Sequence, residues 1–153
     1  MNPEKLPYKN TQVSWSKSQE QIIKLMVKAG IEDVRFTLMR SRHELICEFT
    51  RPTEHNGKTF PIGVRIVIPD VNEKNENRLH RVLFWYLKSK LEILEADFIE
   101  FLEEFFPHVV IFDKEGMTRT IYEMLAPKYK ELMSEGKAPQ LMLPETTQRR
   151  IRV

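Results

Sequence analysis

The stretch Phe60-Pro-Ile-Gly-Val-Arg-Ile-Val-Ile68 sets Phe60, Ile62, Val64, Ile66 and Ile68 on one parity and Pro61, Gly63, Arg65 and Val67 on the other. Successive side chains of a strand point to opposite faces, so this period of two predicts a half-buried strand. Two earlier segments repeat the pattern. Val34, Phe36 and Leu38 alternate with Arg35, Thr37 and Met39, and Leu45, Cys47 and Phe49 alternate with Ile46 and Glu48. Ser41-Arg42 reads as a tight turn between the first two. Asn56-Gly57 reads as a hairpin turn between the last two, because both residue types tolerate positive φ. Together they predict an antiparallel meander, with Pro61 marking an edge or a bulge.

Helices flank this sheet in the sequence. Ser16-Lys-Ser-Gln19 fits a capping box, and Ile22, Ile23, Met26 and Val27 form an apolar stripe that Gly30 ends. After a polar link, a long helix is predicted over 78–96 and a short one over 98–106, stopped by Pro107. His108 to Phe112 reads as a fourth strand. Thr120-Ile-Tyr-Glu123 reads as a second capping box, opening a helix to Gly136 that Pro127 should kink. Residues 1–12 read as an N-terminal arm, which can enter a short strand at Thr11–Trp15. Residues 13–144 read as one domain and 145–153 as a basic tail, with the apolar 138–144 packing on the domain. The expected fold is a single α+β domain, an antiparallel sheet of three or four strands covered by helices.

Composition bounds the chemistry. The chain has 153 residues, 41% hydrophobic and 30% charged, which suits a globular protein with a core. A net charge of +2 is too small to imply nucleic acid by itself. One cysteine, Cys47, excludes an internal disulfide and favours a reducing compartment. The start of the chain shows no leader pattern and no apolar run approaches the roughly 20 residues of a membrane span, so the expectation is a cytoplasmic protein without a membrane partner. The glycines are too scattered for a phosphate-cradling loop, and His43, His55, His80 and His108 have no metal-ligand spacing. Cys47 has inward strand parity and reads as an inert buried thiol. The sequence therefore nominates no catalytic residue, no metal and no cofactor.

Three candidate sites remain. Lys90 falls on the apolar stripe of the long helix, with Leu79, Val82, Leu83, Tyr86, Leu87, Ile93 and Leu94. Its amine must snorkel to water, pair with a carboxylate such as Glu48, Glu100 or Glu104, or bind an anion; snorkelling is the expectation. Arg35 and Arg65 share outward parity, with Arg40, Arg42 and Lys58 at the turns, and such a face could follow a nucleic-acid backbone. Ile46, Val67 and Met39 share that parity, so the face is not purely polar. Phe84 and Trp85 lie off the stripe, which suggests burial on both faces or a self-association interface.

From Arg81 onward the chain carries Lys88-x-Lys90-Leu91-Glu92, Phe101-Leu-Glu-Glu-Phe105, Thr120-x-x-Glu123-x-Leu125-x-Pro127 and Gly136-x-x-Pro139-x-Leu141-x-Leu143-Pro144. In these motifs it resembles a family of small uncharacterised phage and mobile-element proteins. His80 stands where the family pattern has tryptophan, and Asp97 where it has glycine. The resemblance implies one α+β domain and carries no activity with it. The reading is a non-enzymatic accessory protein that binds nucleic acid, single-stranded, through the basic sheet face. The alternative is an oligomeric interaction module that uses Phe84, Trp85 and the acidic helices. An unrecognised enzyme comes third.

Overall fold

The computed structural model describes residues 5–136. The expectations for 138–144 and 145–153, and for the first four residues of the arm, lie outside that range. Two compact units divide between Tyr122 and Glu123. In the first, the chain runs α1 (Trp15–Lys28), β1 (Val34–Met39), β2 (Glu44–His55), β3 (Lys58–Ile68), α2 (Glu76–Glu95), α3 (Phe101–Phe105), a 3-10 turn (Phe106–His108), β4 (Val110–Phe112) and β5 (Thr118–Thr120). The second begins within α4 (Ile121–Ser134), a helix with Pro127 inside it and Leu125, Tyr129 and Leu132 exposed. The architecture is α+β, with one antiparallel sheet in the order β1-β2-β3 and a second of β4 and β5.

The meander follows from its turns. Asn56 at φ 52 and Gly57 at φ 74 close a two-residue hairpin with His55 opposite Lys58. Two successive positive-φ residues match the right-handed twist of the flanking strands, and the Asn-Gly pair takes that conformation at little cost. From there β2 and β3 pair without interruption to Leu45 opposite Ile68, and Pro61 sits opposite Pro52 within the ladder. The other turn occupies residues 40–43, with His43 at φ 54.

Strand parity then selects the core. Leu45, Cys47, Phe49, Ile62, Val64 and Ile66 are buried on the inner face. They pack in one cluster with Ile22 and Met26 of α1, Leu83, Leu87 and Leu91 of α2, and Phe101 and Phe105 of α3. Each such side chain contributes about 1.5–3 kcal/mol when fully buried.

Four local expectations are corrected. The N-cap of α1 is Ser14, whose hydroxyl accepts from the Lys17 N–H, and not Ser16. The Trp15 N–H also donates to Asn77 Oδ1 at 2.8 Å, so the helix begins before the expected box and no strand forms at Thr11–Trp15. The short helix is shorter than 98–106, since α3 begins only at Phe101. The strand after α3 pairs with β5, and among the described residues the chain there pairs with the meander through one isolated bridge, from Val109 to Val64, instead of a ladder.

The buried face of α2 is also rotated toward His80, Leu87 and Leu91, leaving Tyr86 and Ile93 exposed. Sequence periodicity locates a stripe but cannot say which neighbours meet it; here both α1 and α3 pack against α2. Among the described residues, no helix is long and apolar enough to cross a membrane.

Candidate functional site

The pairing register brings Arg35 and Arg65 together, as their shared parity predicts, and places Glu48 between them. Arg35 is opposite Glu48 across β1–β2, and Glu48 is opposite Arg65 across β2–β3. Arg35 Nη2 donates to Glu48 Oε1 at 2.7 Å, and Arg65 Nε donates to Glu48 Oε2 at 3.1 Å. Arg65 also donates to Thr118 Oγ1 at 3.3 Å. Burial pushes the Glu48 carboxyl up, but the hydrogen bonds and charges of the two arginines outweigh it and hold the group below the usual carboxylate range. Two cations around one anion leave a single net positive charge on the strip. The groove over it, about 510 Å³, is also lined by Glu32 and Asp33.

The other cations of the expected face lie elsewhere. Arg40 and Arg42 belong to the β1–β2 turn and Lys58 to the β2–β3 turn. The 12 residues of β2 separate these turns, a span of roughly 40 Å at about 3.4 Å per residue. The five basic residues therefore do not make one surface. Neither strand ring of the meander joins the outer face, because Phe36 is half-buried on the inner side and the exposed Phe60 has inner parity near the hairpin end. Glu48, a candidate partner of Lys90 in the sequence, pairs instead with the two arginines, and a signal for that place existed. Counting back from the Ser41-Arg42 and Asn56-Gly57 turns puts Glu48 opposite both arginines.

Lys90 is not a snorkelling lysine. Its Nζ donates to Glu104 Oε1 at 3.1 Å and to the Glu104 carbonyl at 2.9 Å. The two side chains are only 12% and 14% exposed. The ammonium also lies 4.8 Å from the Tyr86 ring centroid and 5.3 Å from that of Phe105. Because α3 folds back onto α2, the amine meets a carboxylate and two ring faces before it reaches water. This is the carboxylate pairing that the sequence left open beside snorkelling.

Phe84 and Trp85 separate in environment. Phe84 is half-buried against the core, while Trp85 is 43% exposed. Tyr8 stacks on Trp85 with planes 10° apart and centroids at 6.5 Å. Lys88 Nζ stands 4.7 Å from the Trp85 ring, and the Arg81 guanidinium 4.1 Å from the Phe84 ring. Arg81 is 8% exposed, donates to Gln21 Oε1 at 2.6 Å, and leaves its buried Nε without a partner. Among the described residues it makes no ion pair with a carboxylate. Two cations and three rings thus share one side of α2 and the arm.

The titratable groups that could do chemistry are tied into structure. His80 Nδ1–H donates to the Glu76 carbonyl at 2.7 Å, and its Nε2 accepts from Gln19 at 3.0 Å. The Tyr86 hydroxyl and His108 Nε2 share a hydrogen bond of 2.6 Å. Burial lowers both histidines, and the Lys90 charge lowers His108 further. Burial pushes the Cys47 thiol up to about 12. Among the described residues, no three His, Cys, Asp or Glu side chains converge as metal ligands. Comparison of the chain with protein-family models, with curated proteins and with solved structures returns no match.

Proposed function

We propose that the protein is a non-enzymatic accessory protein of the phage type that binds single-stranded nucleic acid, with the ring-and-cation cluster on α2 as its main contact. One observation carries this reading. Tyr8 and Trp85 form an exposed parallel stack, with Lys88 over the indole and only 3.7 Å from Glu92; its solvent-facing ammonium is the cation nearest the rings, while Arg81 is buried against Phe84. Unpaired bases stack on such rings with little sequence preference, while nearby cations take the phosphates. The strip of Arg35 and Arg65 is a secondary contact at most, because Glu48 already occupies both guanidinium groups. A reducing, cytoplasmic setting fits the single buried thiol.

The test is titration of a labelled single-stranded oligonucleotide at low and high salt, read by anisotropy and by tryptophan quenching. Binding should weaken with salt, because phosphate contacts release counterions. Trp85→Ala should weaken it about tenfold or more, since one stacked base contributes about 1–3 kcal/mol. The reading fails if no oligonucleotide binds at low salt. If Arg35→Glu with Arg65→Glu abolishes binding while Trp85→Ala does not, the site belongs to the sheet face.

A second reading has its own observation. Phe98 is 83% exposed and Phe112 76%, and Leu102 and Phe106 are also exposed near α3. Large apolar side chains left in water mark surfaces that meet another protein. This is the interaction-module alternative, and it gains if every oligonucleotide fails to bind.

A further inference from the structure

The edge of the three-stranded sheet carries an inference independent of nucleic acid. Among the described residues β1 pairs only with β2, so its other edge carries backbone donors and acceptors that no described strand takes up. Edge strands are usually protected by proline, bulges or charges. β1 reads Val34-Arg-Phe-Thr-Leu-Met39, with no proline and one charge, and it pairs with β2 residue for residue without a bulge. Beside this edge, Trp15 and Leu38 are 43% and 38% exposed and line a cleft of about 270 Å³ with Phe36 and Leu45.

The charges that bracket the strand name the occupant. Glu32 and Asp33 precede β1, and Arg40 and Arg42 follow it. All four are exposed, and among the described residues none of them makes an ion pair. An antiparallel second copy would set the acidic start of one β1 against the basic end of the other, twice across a two-fold axis. A parallel copy would set like charge on like. We propose that two copies of this chain pair antiparallel through β1, joining their three-stranded sheets into one continuous sheet.

A register centred on Phe36 satisfies the strand chemistry. Residues directly opposite in an antiparallel pair share a face. Phe36 then faces Phe36 of the second copy, Val34 faces Leu38, and Arg35 faces Thr37, so apolar meets apolar and no two like charges are opposed. Glu32 falls opposite Arg40 at both ends. Such self-complementarity is what a two-fold interface requires, because the same patch must serve both sides.

Sedimentation velocity over a concentration series, at low and high salt, tests the pairing with the full chain. A dimer that weakens with salt is expected. Glu32→Lys with Asp33→Lys makes both ends basic, and Arg40→Glu with Arg42→Glu makes both ends acidic. Each double variant alone should dimerise roughly tenfold more weakly or worse, since opposed like charges replace favourable pairs. An equimolar mixture of the two should recover a dimer by complementary pairing. Circular dichroism checks that these surface variants remain folded. The proposal is overturned if the wild-type chain stays monomeric at the highest concentration. It is equally overturned if the double variants associate as the wild type does, or if their mixture gains nothing over either alone.

Discussion

Replacing Lys90 by methionine removes the charge that lies beside the Tyr86 and Phe105 rings while nearly conserving the length of the stem. What is lost is the donor to Glu104 Oε1 at 3.1 Å and to the Glu104 carbonyl at 2.9 Å. At this separation, and an effective dielectric constant of about 20, the gross attraction is about 5 kcal/mol. Part of that is offset by the cost of taking both groups out of water. Breaking a buried pair from one side costs about 3–5 kcal/mol, because the other charge is left behind. Glu104 is still 14% exposed, so water relieves part of the penalty and the lower end applies, about 3 kcal/mol. For a chain of this length that lowers Tm by roughly 5–10 °C. The assay is a double-mutant cycle of urea melts with Lys90→Met, Glu104→Gln and the pair. The double variant should recover much of the loss, because no charge is then stranded. If Lys90→Met melts within about 0.5 kcal/mol of wild type, the size of an ordinary surface substitution, the amine contributes no pairing and the argument from burial is wrong.

Two further outcomes follow from the same cores and rings. Cys47, 1% exposed with its thiol pushed up to about 12, should stay unlabelled by a thiol reagent in the native protein and react only in denaturant; equal rates in the two conditions would refute the inward strand parity. His80 and His108 are both held below the ordinary imidazole value, so the folded state takes up protons less readily than the unfolded chain. Their contribution is therefore complete above an unfolded value of about 6.5 and is lost as pH falls from there through the lower folded values. Urea midpoints should drop on going from neutral to mildly acidic buffer, and an unchanged or rising midpoint would contradict the sign.

Much of the sheet was legible in the residues themselves. A strand's alternation is local, and the parities of Phe36, Cys47, Phe49, Ile62, Val64 and Ile66 stand as the period of two dictates. The hairpin at Asn56-Gly57 is local too, since two residues that tolerate positive φ suffice to make it. The neutralisation of Arg35 and Arg65 was only half legible. Glu48 could be counted across from both turns, but parity alone treats each strand separately and does not score what sits between two cations.

The sequence by itself determined the strands, their inward sides and the α+β class, because those depend on backbone sterics and periodicity over a few neighbouring residues. Only the tertiary structure decided which side of α2 is buried, that Lys90 meets Glu104 instead of water, and that Arg81 packs on Phe84 without a carboxylate. These depend on where α1 and α3 come to rest against α2. That placement is set by the sum of many weak packing contacts between residues far apart in the chain, which no local pattern encodes.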